Sequence, residues 1–235
     1  GDPAAAGGVA GRVWALARDP VGCRRVQAAL EDAGDAEARA ALAFELRDHV
    51  YDASRCPHAN YVLQRCIAVL EPDAVQFVVD ELTPRALAVA KNKFGCRAVQ
   101  RLLERCKPGQ IEGVLAAMLD DFEELSRHVY GRFVLQHMLS HGPEAPRRRL
   151  RALVEAAAID LCTHPQGGVV VVAALSAGGP DERRRVALRL LEEPQRLAAA
   201  ASSARGAAAI SSLLAALDST ERDAAARVLG VGQAP

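Results

Sequence analysis

Apolar residues return along this chain in a helical rhythm, and that rhythm itself repeats. Counting from Gly95, the third, fourth, seventh and eighth residues are Ala98, Val99, Leu102 and Leu103. At about 100° per residue, these four fall on one face. The same places after Ala59 hold Val62, Leu63, Cys66 and Ile67, and after Gly131 they hold Val134, Leu135, Met138 and Leu139. Each segment predicts an amphipathic helix whose stripe packs on its neighbours. The anchors stand at 22, 59, 95, 131, 167 and 206, separated by 37, 36, 36, 36 and 39 residues. A period this regular predicts a repeat array.

The elements between the anchors read as all-α. Each repeat is expected to run short helix, central helix, return helix, with repeats at about 11–47, 48–83, 84–120, 121–157, 158–193 and 194–230. A Gly/Ala-rich segment, 1–10, precedes them and is expected to be flexible. In the second repeat the three helices are predicted over 48–54, 58–70 and 73–82, and in the third over 84–92, 95–106 and 108–120. The fourth is predicted over 121–129, 131–141 and 143–157. Pro72, Pro84, Pro108 and Pro143 fall near these expected starts, where a missing N–H costs little. Arg25 interrupts the stripe of the first repeat, which a terminal repeat with an exposed end tolerates.

Opposite the stripe lies a second pattern. The first, second and fifth residues after each anchor point about 140° away from the core. They are Cys23, Arg24 and Gln27; Asn60, Tyr61 and Gln64; Cys96, Arg97 and Gln100; and Arg132, Phe133 and Gln136. A Gln amide both donates and accepts, so it can pair with a base edge. A ring or guanidinium can stack between bases. These twelve residues are the candidate base contacts, with one repeat facing one base. The last two repeats keep a core in Val170, Val171, Ala174 and Leu175, and in Ala209, Ile210, Leu213 and Leu214. Their outward trios are Gly168, Val169, Val172 and Ala207, Ala208, Ser211, which carry neither amide nor stacking plane. They are expected to serve as scaffold and cap.

Three lines carry a specific resemblance: Gly95-Cys-Arg-Ala-Val-Gln-Arg-Leu-Leu-Glu-Arg-Cys106, Ala59-Asn-Tyr-Val-Leu-Gln-Arg-Cys66 and Gly131-Arg-Phe-Val-Leu-Gln-His-Met-Leu-Ser-His-Gly142. They resemble the Pumilio-type (PUF) RNA-binding repeat, most specifically from Val21 to about Leu153. The chain is similar to the last six of the eight repeats of a full family domain. The resemblance implies a right-handed α-solenoid with the helices at 22, 59, 95 and 131 on its inner face. It implies single-stranded RNA as partner, in particular mRNA 3′ untranslated regions, with one base read per helical repeat. It further implies that Cys-Arg…Gln reads adenine, Asn-Tyr…Gln reads uracil, and the RNA runs antiparallel, so that repeats three, two and one read 5′-AUA-3′. Arg132 departs from the pattern at its first residue, and Gln136 then implies a weak uracil preference. By the same resemblance the protein is a cytoplasmic monomer that regulates mRNA, with protein partners on its convex face.

Composition sharpens this picture in a few places. The 235 residues are half apolar, with no composition break, which suits one elongated domain. No run of about eighteen apolar residues is present, so no membrane span is expected. No basic segment leads into an apolar one at the start, so no signal peptide is expected. The formal net charge is zero, which gives non-specific nucleic-acid affinity nothing to work with unless charge is segregated. Arg24, Arg65, Arg97, Arg101 and Arg132 fall on or beside the outward trios, while Glu31, Asp73, Glu81, Asp120, Asp121 and Glu144 fall mostly at helix ends or outer helices. A basic reading face is the expectation.

The runs Arg147–Arg149 and Arg183–Arg185 read as solvated outer faces. The six cysteines, at 23, 56, 66, 96, 106 and 162, follow the repeat and form no CxxC pair, which suits a reduced compartment. Cys56-Pro57-His58 lacks a second ligand cluster, so no metal or cofactor is expected. No nucleophile–base arrangement, phosphate-cradling Gly loop or carboxylate cluster suggests an enzyme. The alternative is a protein-binding α-solenoid of armadillo or HEAT type, whose groove has no reason to keep the Gln register.

Overall fold

The computed structural model describes residues 8–202, 204–215 and 217–229, and among them there are helices and turns but no strand. The chain groups into two compact units, one ending at Asp121 and the other beginning at Phe122. The sequence had suggested a single domain over 11–235.

In the first unit, α1 (Val13–Ala17), α2 (Gly22–Asp32) and α3 (Ala36–Phe44) make the first repeat. The second is α4 (Val50–Arg55), α5 (Ala59–Val69) and α6 (Gln76–Leu82), the last entered through a 3-10 turn at Pro72–Val75. A further 3-10 turn, Thr83–Arg85, leads into α7 (Ala86–Ala90), α8 (Gly95–Arg105) and α9 (Glu112–Asp120). The central helices α2, α5 and α8 pack on one another in chain order. Their stripes form the core: Val26, Val62, Leu63, Ile67, Val99 and Leu102 are at most 1% exposed. Each such side chain contributes about 1.5–3 kcal/mol by leaving water. Arg25, the interruption in the first stripe, is exposed.

Two recurring devices set the starts of central helices. The first is close approach by the short helix six residues back. A Cβ added at Gly22 or Gly95 would lie 2.5 or 2.6 Å from the carbonyl oxygen of Leu16 or Val89. The second is a side-chain cap three residues before the anchor. Asp19 Oδ2 accepts from the Val21 and Gly22 N–H groups at 2.9 and 2.5 Å. Asn92 Oδ1 accepts from Phe94 and Gly95 at 2.8 and 3.0 Å. Cys56 Sγ accepts from Ala59 N–H at 3.4 Å, which gives the Cys56-Pro57-His58 thiol a structural use.

Side chains from the return helices and first helices tie the stack together. Glu45 accepts from the N–H groups of Gly11 and Val13 at 2.7 and 2.9 Å, and Glu81 from Asp48 and Val50 at 2.8 and 3.1 Å. Gly11 and Asp48 reach these bonds with φ of 75° and 64°, in the left-handed region. Trp14 stacks on His49 at 4.6 Å, and Arg85 lies 4.3 Å over Tyr51, so each plane is supplied by the following repeat.

Two expectations change here. Val9 is 1% exposed and its carbonyl accepts from Arg12 N–H, so 8–10 form a packed turn; residues 1–7 of the segment expected to be flexible lie outside the described residues. The third return helix starts at Glu112, not at 108. Gln110 holds that turn open, accepting from Lys107 N–H at 2.9 Å while donating to the Pro72 carbonyl at 2.8 Å.

The second unit repeats the order. It contains α10 (Phe122–Arg127), α11 (Gly131–His141) and α12 (Glu144–Ala156); then α13 (Ala158–Thr163), α14 (Gly167–Ala177) and α15 (Pro180–Leu191); then α16 (Pro194–Ala201), α17 (Ala204–Leu214) and α18 (Ser219–Leu229). Here α11, α14 and α17 pack in order, and Val134, Leu135, Met138, Val170, Val171 and Ala209 are fully buried. The side chain of Leu213, expected in this core, lies outside the described residues. Gly131 and Gly167 again face backbone carbonyls, with an added Cβ 2.9 and 2.6 Å from Leu125 and Leu161. His128 and His164 take the capping place, accepting through Nδ1 at 3.2 and 3.1 Å. Of the arginine runs, Arg147, Arg184 and Arg185 pair with Glu144, Glu221 and Glu155. No helix of the described residues is long and apolar enough to cross a membrane.

Candidate nucleic-acid interface

The three complete trios of the first unit lie on α2, α5 and α8. Their second residues turn outward. Tyr61 is 54% exposed, and Arg24 and Arg97 are exposed. A large ring left in water beside an amide is the arrangement that base stacking requires.

The fifth residues lie deeper. Gln27 and Gln64 are half-buried and Gln100 is buried. Gln27 Nε2 donates to its own helix at the Cys23 carbonyl, 3.0 Å away. Gln64 Nε2 donates to Asn60 Oδ1 at 3.0 Å. Gln100 Oε1 accepts from Arg97 Nη1 at 3.2 Å, so the guanidinium closes over the amide.

The first residues are not outward at all, which corrects the sequence expectation. Cys23, Asn60 and Cys96 are 4%, 2% and 2% exposed. Their donors turn back to the carbonyls of the preceding turn. Cys23 Sγ meets Pro20 O at 3.4 Å, Cys96 Sγ meets Lys93 O at 3.5 Å, and Asn60 Nδ2 meets Cys56 O and Pro57 O at 2.8 and 2.9 Å. A carbonyl oxygen has two lone pairs, so the carbonyls of the turn before each central helix can accept from a side chain in its first turn. Burial pushes the Cys96 thiol up, partly opposed by the nearby Arg97 charge. Burial likewise lifts Cys106 to about 11 and both Cys66 and Cys162 to about 12. These thiols are therefore protonated near neutrality and serve packing, not reactivity.

The face is also less basic than the placement of its arginines implied. Arg65 Nε is 3.0 Å from Glu31, and Arg101 Nη2 is 2.7 Å from Glu104. Both acids stand on central helices of the same unit, not on outer ones. The Arg65–Glu31 pair joins α5 to α2, so it places those helices in register as well as neutralising charge. Exposed pairs of this kind stabilise little, about 0–1 kcal/mol.

In the second unit, α11 carries Arg132 Cζ 4.0 Å from the Phe133 ring centroid, and Arg132 Nη1 donates to Gln136 Oε1 at 3.5 Å. All three residues are half-buried. On α14, Gly168 is buried and Val169 and Val172 are half-buried; on α17, Ala208 and Ser211 are exposed. The capping row at 19, 56, 92, 128 and 164 escaped the sequence reading. Its signal was an acceptor side chain three residues before every anchor from 22 to 167.

Central helices stacked in order, three of them in the first unit presenting a plane beside an amide, define a helical-repeat binding protein. The chain belongs to the Pumilio family: it matches the Pumilio-family RNA binding repeat over residues 12–46, 49–83, 85–119 and 121–152, more than half its length. It is 31% identical to Pumilio homolog 9 of Arabidopsis thaliana over 162 residues, 67% of this chain and 28% of that protein. It is 25% identical to Pumilio homology domain family member 4 of Saccharomyces cerevisiae over 126 residues, 52% of this chain and 14% of that protein. The chain thus spans less than a third of either relative. Among solved structures it is similar to PUF-8 in complex with PBE-RNA, with a TM-score of 0.86 at 22% identity, covering 95% of this chain and 67% of that one. It is also similar to the Puf3 RNA binding domain bound to a Cox17 RNA 3′ UTR recognition sequence, with a TM-score of 0.84 at 19% identity, covering 96% and 70%. The fold is an all-α solenoid of Pumilio-type three-helix repeats. The repeat matches stop at residue 152, ahead of α14 and α17, the helices without readers.

Proposed function

We propose that this chain binds single-stranded RNA by sequence, one base to each of its first three repeats, with a weaker contribution from the fourth. One observation carries the reading: three Gln amides occupy the same place on three successive packed helices of one unit, each beside an exposed plane, Arg24, Tyr61 or Arg97. The planes stack between bases and the amides pair with base edges. By family membership the order is antiparallel, giving 5′-AUA-3′ across repeats three, two and one. In the third repeat Arg97 must swing off Gln100 before the amide can meet a base. The biological role that follows is regulation of mRNA in the cytoplasm, through sites in 3′ untranslated regions.

Each stacked base contributes about 1–3 kcal/mol, and association and ordering subtract several. With three or four active repeats, the expected Kd is on the order of micromolar. The test is titration of the purified chain with an AUA-containing oligonucleotide and its CCC counterpart at one salt concentration. Tighter binding of the first is expected. Equal affinity would refute the reading and favour a protein-binding solenoid.

A further inference from the structure

The two junctions between repeats of the first unit are built differently. Between the second and third repeats the closure is polar. Lys107 Nζ donates to the carboxylate oxygens of Asp73 at 2.6 and 2.8 Å. Gln110 Nε2 donates to the Pro72 carbonyl at 2.8 Å and to Gln76 Oε1 at 3.0 Å. Counted from the anchors Ala59 and Gly95, the residue one repeat before Lys107 is Glu71, and the residue before Gln110 is Ala74. Glu45 and Glu81 make equivalent clamps 36 residues apart on the return helices. The same offset puts Glu37 at the place of Asp73 and Ala40 at that of Gln76. The junction of the first and second repeats therefore carries an acid on both sides, and alanine replaces both amides. A hollow of about 250 Å³ lies there. Ala36, Val69, Leu70 and Ala74 give it an apolar lining, with Glu37 and Glu71 exposed at its rim. Among the described residues neither carboxylate has an ion-pair partner. Arg39 also lines the hollow, but its guanidinium is directed to the Leu30 and Ala33 carbonyls at 3.0 and 3.2 Å.

We propose that this hollow docks a peptide segment of a partner protein, one that carries a lysine or arginine beside a large apolar residue. The cation meets Glu37 and Glu71, as Lys107 meets Asp73 one junction further on. The apolar side chain covers Val69 and Leu70. Charge complementarity selects this occupant: two carboxylates without a cation repel a phosphate or an acidic segment and attract a basic one. An apolar anchor in a pocket with polar groups at its rim is also how interface centres are built. The site is independent of the RNA reading. Val69 ends α5, whereas Tyr61 lies in its first turn.

Backbone amide NMR of the full chain, titrated with end-blocked peptides, tests this. The probe is Ser-Leu-Lys-Leu-Ser. The controls carry Glu in place of Lys, or Ser in place of both Leu. The probe is expected to shift the amides of residues 36–40 and 69–74, and each control to bind at least about fivefold more weakly. E37Q/E71Q keeps the shape of the rim and removes its charge, and should weaken the probe by a similar factor. E71K/A74Q installs the closure of the next junction and should abolish the shifts. The reverse exchange, K107E/Q110A, should open a second site, seen as new shifts over 72–76 and 105–110. Equal binding of the Glu peptide, or unchanged binding by E37Q/E71Q, would overturn the proposal. Shifts of the wild-type chain confined to other residues would do the same, and need no variant to fold. Sedimentation of the chain alone checks another occupant. A wild-type dimer that E37Q/E71Q breaks would mean that a second copy fills the hollow, and the proposal would fall.

Discussion

The central helices of the two units match on one face and diverge on the other. Leu63 on α5 and Leu135 on α11 are equally buried, and a Cβ added at the anchor Gly95 or Gly167 would lie the same 2.6 Å from a backbone carbonyl oxygen. The outer faces diverge after α11, which still carries Phe133 and Gln136. Where α5 presents Tyr61 and Gln64, α14 presents Val169 and Val172, and α17 presents Ala208 and Ser211. The difference teaches that packing and reading are separable in this fold. A helix rotates about 100° per residue, so core and reader positions do not share side chains. Readers can be lost without disturbing the stripe that stacks one repeat on the next.

The largest effects should fall where the units agree. Leu63→Ala and Leu135→Ala should each destabilise by about 2–5 kcal/mol, as buried truncations that leave cavities do. Urea unfolding measures both, and a marked loss at one site alone would break the equivalence of the two cores. Next come the readers. Gln100→Ala should remove about 1–3 kcal/mol of discrimination at the base facing the third repeat, with stability little changed. Arg97→Ala should instead weaken all four bases alike, because a stacking plane is indifferent to base identity. Competition among four RNAs separates the two outcomes.

A transplant sharpens the comparison further. Val169→Tyr with Val172→Gln gives α14 the plane and amide of α5. It should strengthen RNA binding by about 1–2 kcal/mol, the lower part of the range for one stacked base. Fluorescence anisotropy reads this directly, and no gain would mean that more than readers separates the units. The smallest effect lies at the clamps of the first unit. Asp48 holds φ at 64° to donate to Glu81. Asp48→Gly should stabilise by about 0.5 kcal/mol, since glycine adopts this region without steric cost but loses more chain entropy on folding. A thermal melt would show it as a small rise in Tm.

What the sequence determined by itself was whatever depends on local helical phase. The period placed the anchors, and the predicted central helix of the fourth repeat, 131–141, coincides with α11, Gly131–His141. The stripe residues Val62, Leu63, Val134 and Leu135 are core, and Tyr61 stands in water as its phase requires. Tertiary structure decided what phase cannot see. Cys23, Asn60 and Cys96 are drawn inward because the turn before each central helix offers carbonyls within reach of that first residue. Arg65 is paired with Glu31 because α5 lies against α2. Glu45 and Glu81 find their partners more than thirty residues back along the chain. Rotation per residue is a property of one helix and can be read from a short segment. Which flank of that helix is covered, and which polar groups meet there, depends on a neighbour one repeat away.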